Sequence, residues 1–147
     1  FVANSKLKVN FFSKYVDYPV ISDDSGLCIH ALKNQPGIYS ARLAKKQGGF
    51  YNAMKFILKK LKKKKNRKAT FVCSLSYKNN SEKIISVIGK LSGSISTKIL
   101  GKKGFGYDPI FIPVNEKITF GQMGKRKKIK MDHRFIAFKK LKKKIKI

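Results

Sequence analysis

Acid is the scarcest chemistry in this sequence. Of 147 residues only seven are Asp or Glu, against 35 Lys or Arg, and the formal net charge is +28. Trp is absent, and only four of the cations are Arg: Arg42, Arg67, Arg126 and Arg134. Proteins that read nucleic acid lean on bidentate Arg, so the Lys excess argues against a specific nucleic-acid partner. Abundant Lys, Ile and Asn without Trp reads instead as drift in an AT-rich genome. The two cysteines, Cys28 and Cys73, exclude a disulfide framework and a four-ligand zinc site, so a reducing, cytoplasmic setting is expected. No apolar run reaches the roughly 18 residues of a membrane span, and no signal peptide is visible. The sequence opens on Phe1 rather than Met, and a missing N-terminal segment is expected.

What is present is a core-forming chain. With 42% hydrophobic and 12% aromatic residues it is too apolar for a disordered polyelectrolyte. Its length suits one domain, residues 1–147, burying roughly two-thirds of its unfolded surface. Leu7, Phe11, Phe12 and Tyr15 or Val16 recur at helical spacing and predict a helix over 1–16 with those residues inward. Val20-Ile21 and the stretch from Leu27 to Ala31 read as two short extended runs around Ser22-Asp23-Asp24-Ser25-Gly26. Phe50, Ala53, Met54, Ile57, Leu58 and Leu61 form a second helical stripe. Residues 69–77 alternate, with Phe71, Cys73, Leu75 and Tyr77 on one side. Residues 83–95 return as the partner strand, where Gly89 and Gly93 mark bulges or a close backbone approach. Ile118 to Phe120 reads as short and extended, and a last helix from Arg134 is expected to bury Phe135, Phe138, Leu141 and Ile145, with Asp132 as its N-cap. Helices with an antiparallel hairpin give a mixed α/β class.

Three places could carry chemistry. Asp23-Asp24-Ser25-Gly26 sets two carboxylates beside an apolar strand, where they could hold a hard cation such as Mg²⁺ and orient water. Most Asp-Ser-Gly stretches are Asx-turns or helix caps, and on this feature alone that is the favoured reading. Gly104-Phe105-Gly106-Tyr107-Asp108-Pro109 puts two rings and an acid around glycines, which suits a planar base stacked on Phe105, or else a β-turn with core aromatics. Lys128 and Asp132-His133-Arg134 cluster donors at a helix start, fit for a carbonyl-bearing ring or an anion, or for plain capping. The Lys-rich runs 59–65 and 139–146 could contact phosphate backbones, but they carry no recognisable nucleic-acid motif, and solvated helix faces explain them.

In order, SDDSGLCIHAL (22–32), PGIYSAR (36–42), ATFVCSL (69–75), GFGYDPIFIP (104–113), TF (119–120) and the HR of MDHRFIAFKKL (131–141) resemble the inosine triphosphate pyrophosphatase family over nearly the whole chain. The resemblance implies a long twisted central sheet flanked by helices, in two lobes with a nucleotide cleft between them, usually as a homodimer. It implies Mg²⁺-dependent hydrolysis of ITP, dITP and XTP to the monophosphate and pyrophosphate. Carried over by motif, Asp24 is the catalytic and metal-binding acid and Asp23 its neighbour. Ser25 and Gly26 lie near the phosphates, Phe105, Gly106, Tyr107 and Asp108 form the base pocket, and Lys128, His133 and Arg134 read the purine edge. Donors there would pair with the six-position carbonyl of hypoxanthine and be left unpaired against adenine. The chain departs from the family pattern at Ala3, where a metal-binding Glu is usual, at Gln122 for Glu, at Asp132 for Ser and at Phe135 for a small residue. The family's first strand and phosphate loop would lie upstream of Phe1. An inactive or fragmentary homologue that binds nucleotide or a partner subunit is therefore the alternative. A basic nucleic-acid-binding module is a third reading, disfavoured by the Lys bias and the motif match.

Overall fold

The computed structural model describes residues 1–80 and 83–145. In chain order the elements are α1 (Val2–Phe12), β1 (Val20–Ile29), β2 (Gln35–Pro36), α2 (Ser40–Lys46), α3 (Phe50–Leu61), β3 (Lys68–Lys78), β4 (Ile84–Ile95), β5 (Phe111–Pro113), α4 (Lys125–Lys128) and α5 (His133–Ile145). The expected mixed α/β class is borne out: five antiparallel strands in the order β2-β1-β3-β4-β5, with helices on both faces.

β3 is the spine, because its alternating pattern lets it bury both faces. It pairs with β4 from Lys68↔Ser94 to Lys78↔Ile84 without interruption. Gly89 therefore marks a close approach and not a bulge: a Cβ there would strike the His133 carbonyl and the Ala137 backbone of α5. On its other side β3 pairs with β1 from Val20↔Lys78 to Ile29↔Ala69. The two short extended runs of the sequence reading are thus one ten-residue strand that runs straight through Asp23 and Asp24. The β3 ladder satisfies the backbone there, and it outcompetes the Asx-turn that Asp-Ser-Gly offers locally. Beyond β1, the edge strand β2 pairs only at Cys28 and Ile29.

Strand alternation divides the surroundings. On the face of Leu27, Ile29, Phe71 and Leu91 sits the main core, closed by Ala53, Met54, Ile57 and Leu61 of α3 in the predicted stripe. Further along the same face, α5 covers Cys73, Leu75 and Val87 with Ala137 and Leu141. Arg67 joins the ends of these layers, donating to the carbonyls of Ile95 (2.7 Å) and Ser96 (2.6 Å). The opposite face, with Ser74 and Ser76, carries α1.

Several sequence expectations fail in instructive ways. α1 ends at Phe12, and Leu7, Phe11, Phe12, Tyr15 and Val16 are exposed, while Ser5 and Val9 are buried. The sheet face below α1 is lined by hydroxyls, so the helix turns its own serine toward it. In α5 the half-exposed Phe138 yields the inward place to Ala137, because only a small side chain fits where Gly89 draws the helix close. No strand forms over Ile118 to Phe120. Phe120 instead makes a single backbone bond to Phe111. α2, which starts at Ser40 in the last three residues of the PGIYSAR segment, is an element the spacing did not announce.

Candidate active site

β1 holds the centre of the site. Alternation sends Asp23 and Asp24 to opposite faces, and their partners agree. Asp23 Oδ2 accepts from Ser25 Oγ (3.1 Å) and from Arg134 Nη2 of α5 (3.4 Å). Asp24 accepts from Asn4 Nδ2 (3.2 Å) and Lys8 Nζ (3.3 Å) of α1, and Lys8 also donates to the Asp23 carbonyl (2.7 Å). The two carboxylates therefore do not form a single bite on one ion, as their adjacency in sequence suggested. Gly26 follows because the backbone must come close: a Cβ there would strike the Gly37 carbonyl. Ser40 Oγ, which donates to that carbonyl, accepts from the Leu27 amide at 2.9 Å and fastens the PGIYSAR segment to β1.

The 104–109 loop is held by its acid. Asp108 is buried, and its Oδ2 accepts from Phe105 N (2.7 Å) and Lys128 Nζ (2.6 Å). This pair fixes α4 against the loop and leaves Phe105 66% exposed, its ring centroid 5.2 Å from that of Phe50 at an interplanar angle of 65°. Tyr107 is committed differently, its buried hydroxyl donating to the Ser40 carbonyl at 2.7 Å. Burial pushes that phenol up to about 12, so it stays protonated.

At the start of α5, His133 is stacked on Phe71 with ring centroids 4.7 Å apart. Burial first, then the Arg134 and Lys128 charges, drive its imidazole down to about 3. It is neutral at physiological pH, and its buried Nδ1 has no hydrogen-bond partner. A buried polar atom left unmade costs about 1–3 kcal/mol, which makes it a place for a ligand atom. Asp132 is the helix cap, accepting from Phe135 N at 2.8 Å through Oδ1.

All of these groups meet at one cavity of about 240 Å³. Its wall includes all eleven residues that the family motifs assign to the site: Asp23, Asp24, Ser25, Gly26, Phe105, Gly106, Tyr107, Asp108, Lys128, His133 and Arg134. It also includes Lys8, Ser40, Phe50 and Phe71, which the sequence reading did not select. For Lys8 the signal was there: it stands four residues after Asn4, on the same helix face. Asp132 is absent from the wall, as is Ala3, which borders a different, open cavity beside Cys28 and Lys90. A larger apolar cavity of about 320 Å³ between α2 and α3 holds none of the acids.

Comparison with known proteins decides the ancestry. The model of the Ham1 family matches residues 1–144. The chain belongs to the Ham1 family. Among its relatives, a protein of Dictyoglomus thermophilum named dITP/XTP pyrophosphatase is 42% identical over 95% of this chain and 69% of its own length. One of the same name from Acholeplasma laidlawii is 40% identical over 91% of this chain and 66% of its own. The chain thus spans about two-thirds of the length of these curated relatives. The solved Ham1 protein of Staphylococcus aureus superposes with a TM-score of 0.90 at 36% identity, covering 97% of this chain and 74% of that one. The family resemblance and the fold class read from the motifs are therefore both upheld.

Proposed function

We propose that this Ham1-family chain is a nucleoside triphosphate pyrophosphatase that hydrolyses ITP, dITP and XTP to the monophosphate and pyrophosphate, removing deaminated purines from the nucleotide pool. One observation carries the reading: three motifs spread over more than 100 residues of sequence line a single cavity, bringing Asp23 and Asp24, the exposed Phe105 ring and the donors Lys128, His133 and Arg134 together. The names of the relatives at about 40% identity support the same substrate class.

In this reading the base stacks on Phe105. The Arg134 guanidinium, the Lys128 ammonium and the neutral His133 ring meet the six-position carbonyl, and the amino group of adenine offers these donors no acceptor there. Lys8, on the cavity wall beside Asp24, would meet the triphosphate charge. Water attacks the α-phosphorus, the bond to the bridging oxygen breaks, and pyrophosphate leaves. Asp24 places that water, while Asp23 holds Arg134 in line. Mg²⁺ is the inferred cofactor. No group of three His, Cys, Asp or Glu gathers among the described residues, so a cage made of protein alone does not fit. A magnesium ion is commonly held by one or two carboxylates plus substrate phosphates, and Asp24 fits that mode. When bound, the ion would neutralise phosphate charge as the leaving group departs. A homodimer and a cytoplasmic setting complete the proposal, as does a single domain over 1–147.

A second reading, nucleotide binding without turnover, draws on Ala3, which cannot ligate a metal, and on that lone carboxylate. Product analysis separates the two. With Mg²⁺, the purified chain is expected to release pyrophosphate and IMP from ITP, with little from dATP. Nucleotide binding without pyrophosphate release would establish the second reading, and orthophosphate as the product would sink both.

A further inference from the structure

α1 carries Asn4 and Lys8 to Asp24, yet it has almost no apolar grip on the sheet. Its buried residues are Ser5 and Val9. Beneath it lies a chain of hydroxyls. Ser5 Oγ is 2.9 Å from Ser74 Oγ and 2.8 Å from Ser76 Oγ, and Ser76 Oγ is 2.8 Å from Ser86 Oγ. Ser5, Ser74 and Ser76 are fully buried. Ser5 Oγ also donates to the Val2 carbonyl at 3.1 Å. A hydroxyl has one proton and two lone pairs, so these three contacts saturate Ser5. Its proton goes to Val2, and Ser74 and Ser76 both donate to it. Ser76 in turn accepts from Ser86, completing a single consistent direction. Ser22 Oγ reinforces the tether by donating to the Ser5 carbonyl at 2.5 Å. The strand register puts Ser22 opposite Ser76 and Asp24 opposite Ser74, so the ladder and the acid share one face.

We propose that Ser5, through its hydroxyl ladder to Ser74, Ser76 and Ser86, is a positioning residue that fixes the rotation of α1 and thereby sets Lys8 and Asn4 on Asp24. An apolar stripe would let a helix rotate or slide over equivalent contacts. Directional bonds to two strand residues allow one orientation. Asn4 precedes Ser5 and Lys8 follows it by three residues, so a turn of the helix about Ser5 moves both away from the acid together. This inference rests on the pyrophosphatase reading for its kinetic consequence and on geometry alone for its structural one.

The test is a double-mutant cycle between Ser5→Ala and Lys8→Ala, read by pyrophosphate release from dITP and by NMR of the Asn4 side-chain amide. Ser5→Ala is expected to lower kcat/KM about tenfold, the scale of one buried hydrogen bond lost, and to cost little more once Lys8 is already Ala. The Asn4 amide resonances should move in Ser5→Ala and return toward the parent positions in Ser5→Thr, which restores a hydroxyl. Additive losses in the cycle would overturn the positioning role. If the parent chain turns over no nucleotide, the pyrophosphatase reading fails and the NMR arm still decides this one: unmoved Asn4 resonances in Ser5→Ala would overturn it. Should Ser5→Ala fail to fold, Ser74→Ala takes its place in the same cycle, leaving Ser5 bonded to Val2 and Ser76.

Discussion

His133 is the residue whose environment has the clearest measurable consequence. Its imidazole, ordinarily near 6.5, is driven to about 3 by burial and by neighbouring cations. Between those values the unfolded chain binds a proton that the folded chain refuses. The stability this contributes is fully present above pH about 6.5 and is lost as the pH falls toward about 3. A neutral ring with an unpartnered Nδ1 also keeps one state across neutral pH. We expect the unfolding midpoint of the parent chain to fall between about pH 6.5 and 5 more steeply than that of His133→Gln, and equal slopes in thermal scans would refute this. None of this was legible beforehand. The sequence put His133 beside Arg134, but its depth, its stacking on Phe71 and its charge state depend on chain 62 residues away. Asp23 and Asp24 make the same point: adjacency in sequence suggested a shared ion, while the pleat of β1 turned them apart.

At the scale of elements, α5 is set by its cap and by a glycine. Asp132 closes the first turn through the Phe135 amide, and Gly89 admits the helix backbone to the sheet. Removing the cap as Asp132→Ala should cost about 1 kcal/mol of stability, measured by denaturant unfolding. Asp132→Ser keeps a capping oxygen and lies outside the cavity wall, so it should leave both stability and the rejection of dGTP unchanged. A changed dGTP to dITP ratio in steady-state kinetics would show that Asp132 acts on the base and not only as a cap. The cap was readable from sequence because capping is local, and so was the α3 stripe, because its apolar period matches the one face it buries. The α1 stripe misled for the opposite reason. Seven large apolar side chains between Leu7 and Ile21 stand exposed, and what α1 buries was decided by the serines of β3.

For the whole molecule, charge is the dominant condition. Only four ion pairs join the described residues of a chain with net charge +28. Self-repulsion therefore opposes the folded state, and salt should relieve it. The unfolding temperature is expected to rise as NaCl goes from about 20 to about 300 mM, which shortens the Debye length from about 20 to about 6 Å. A flat or falling curve would mean that the surface lysines are too dispersed to matter. The Lys-rich ends of α3 and α5 belong to this solvated surface, and neither borders the cavity. By itself the sequence determined the family, the mixed α/β class, the β3–β4 hairpin and eleven of the residues that line the cavity, because motifs, alternation and caps are local properties of the chain. Only the tertiary structure decided that Asp24 faces α1, that Asp23 faces Arg134, that His133 is buried neutral and that Lys8 lines the cavity. Those facts depend on which strand pairs with which and on how closely two backbones approach, and neither is encoded in any one stretch of residues.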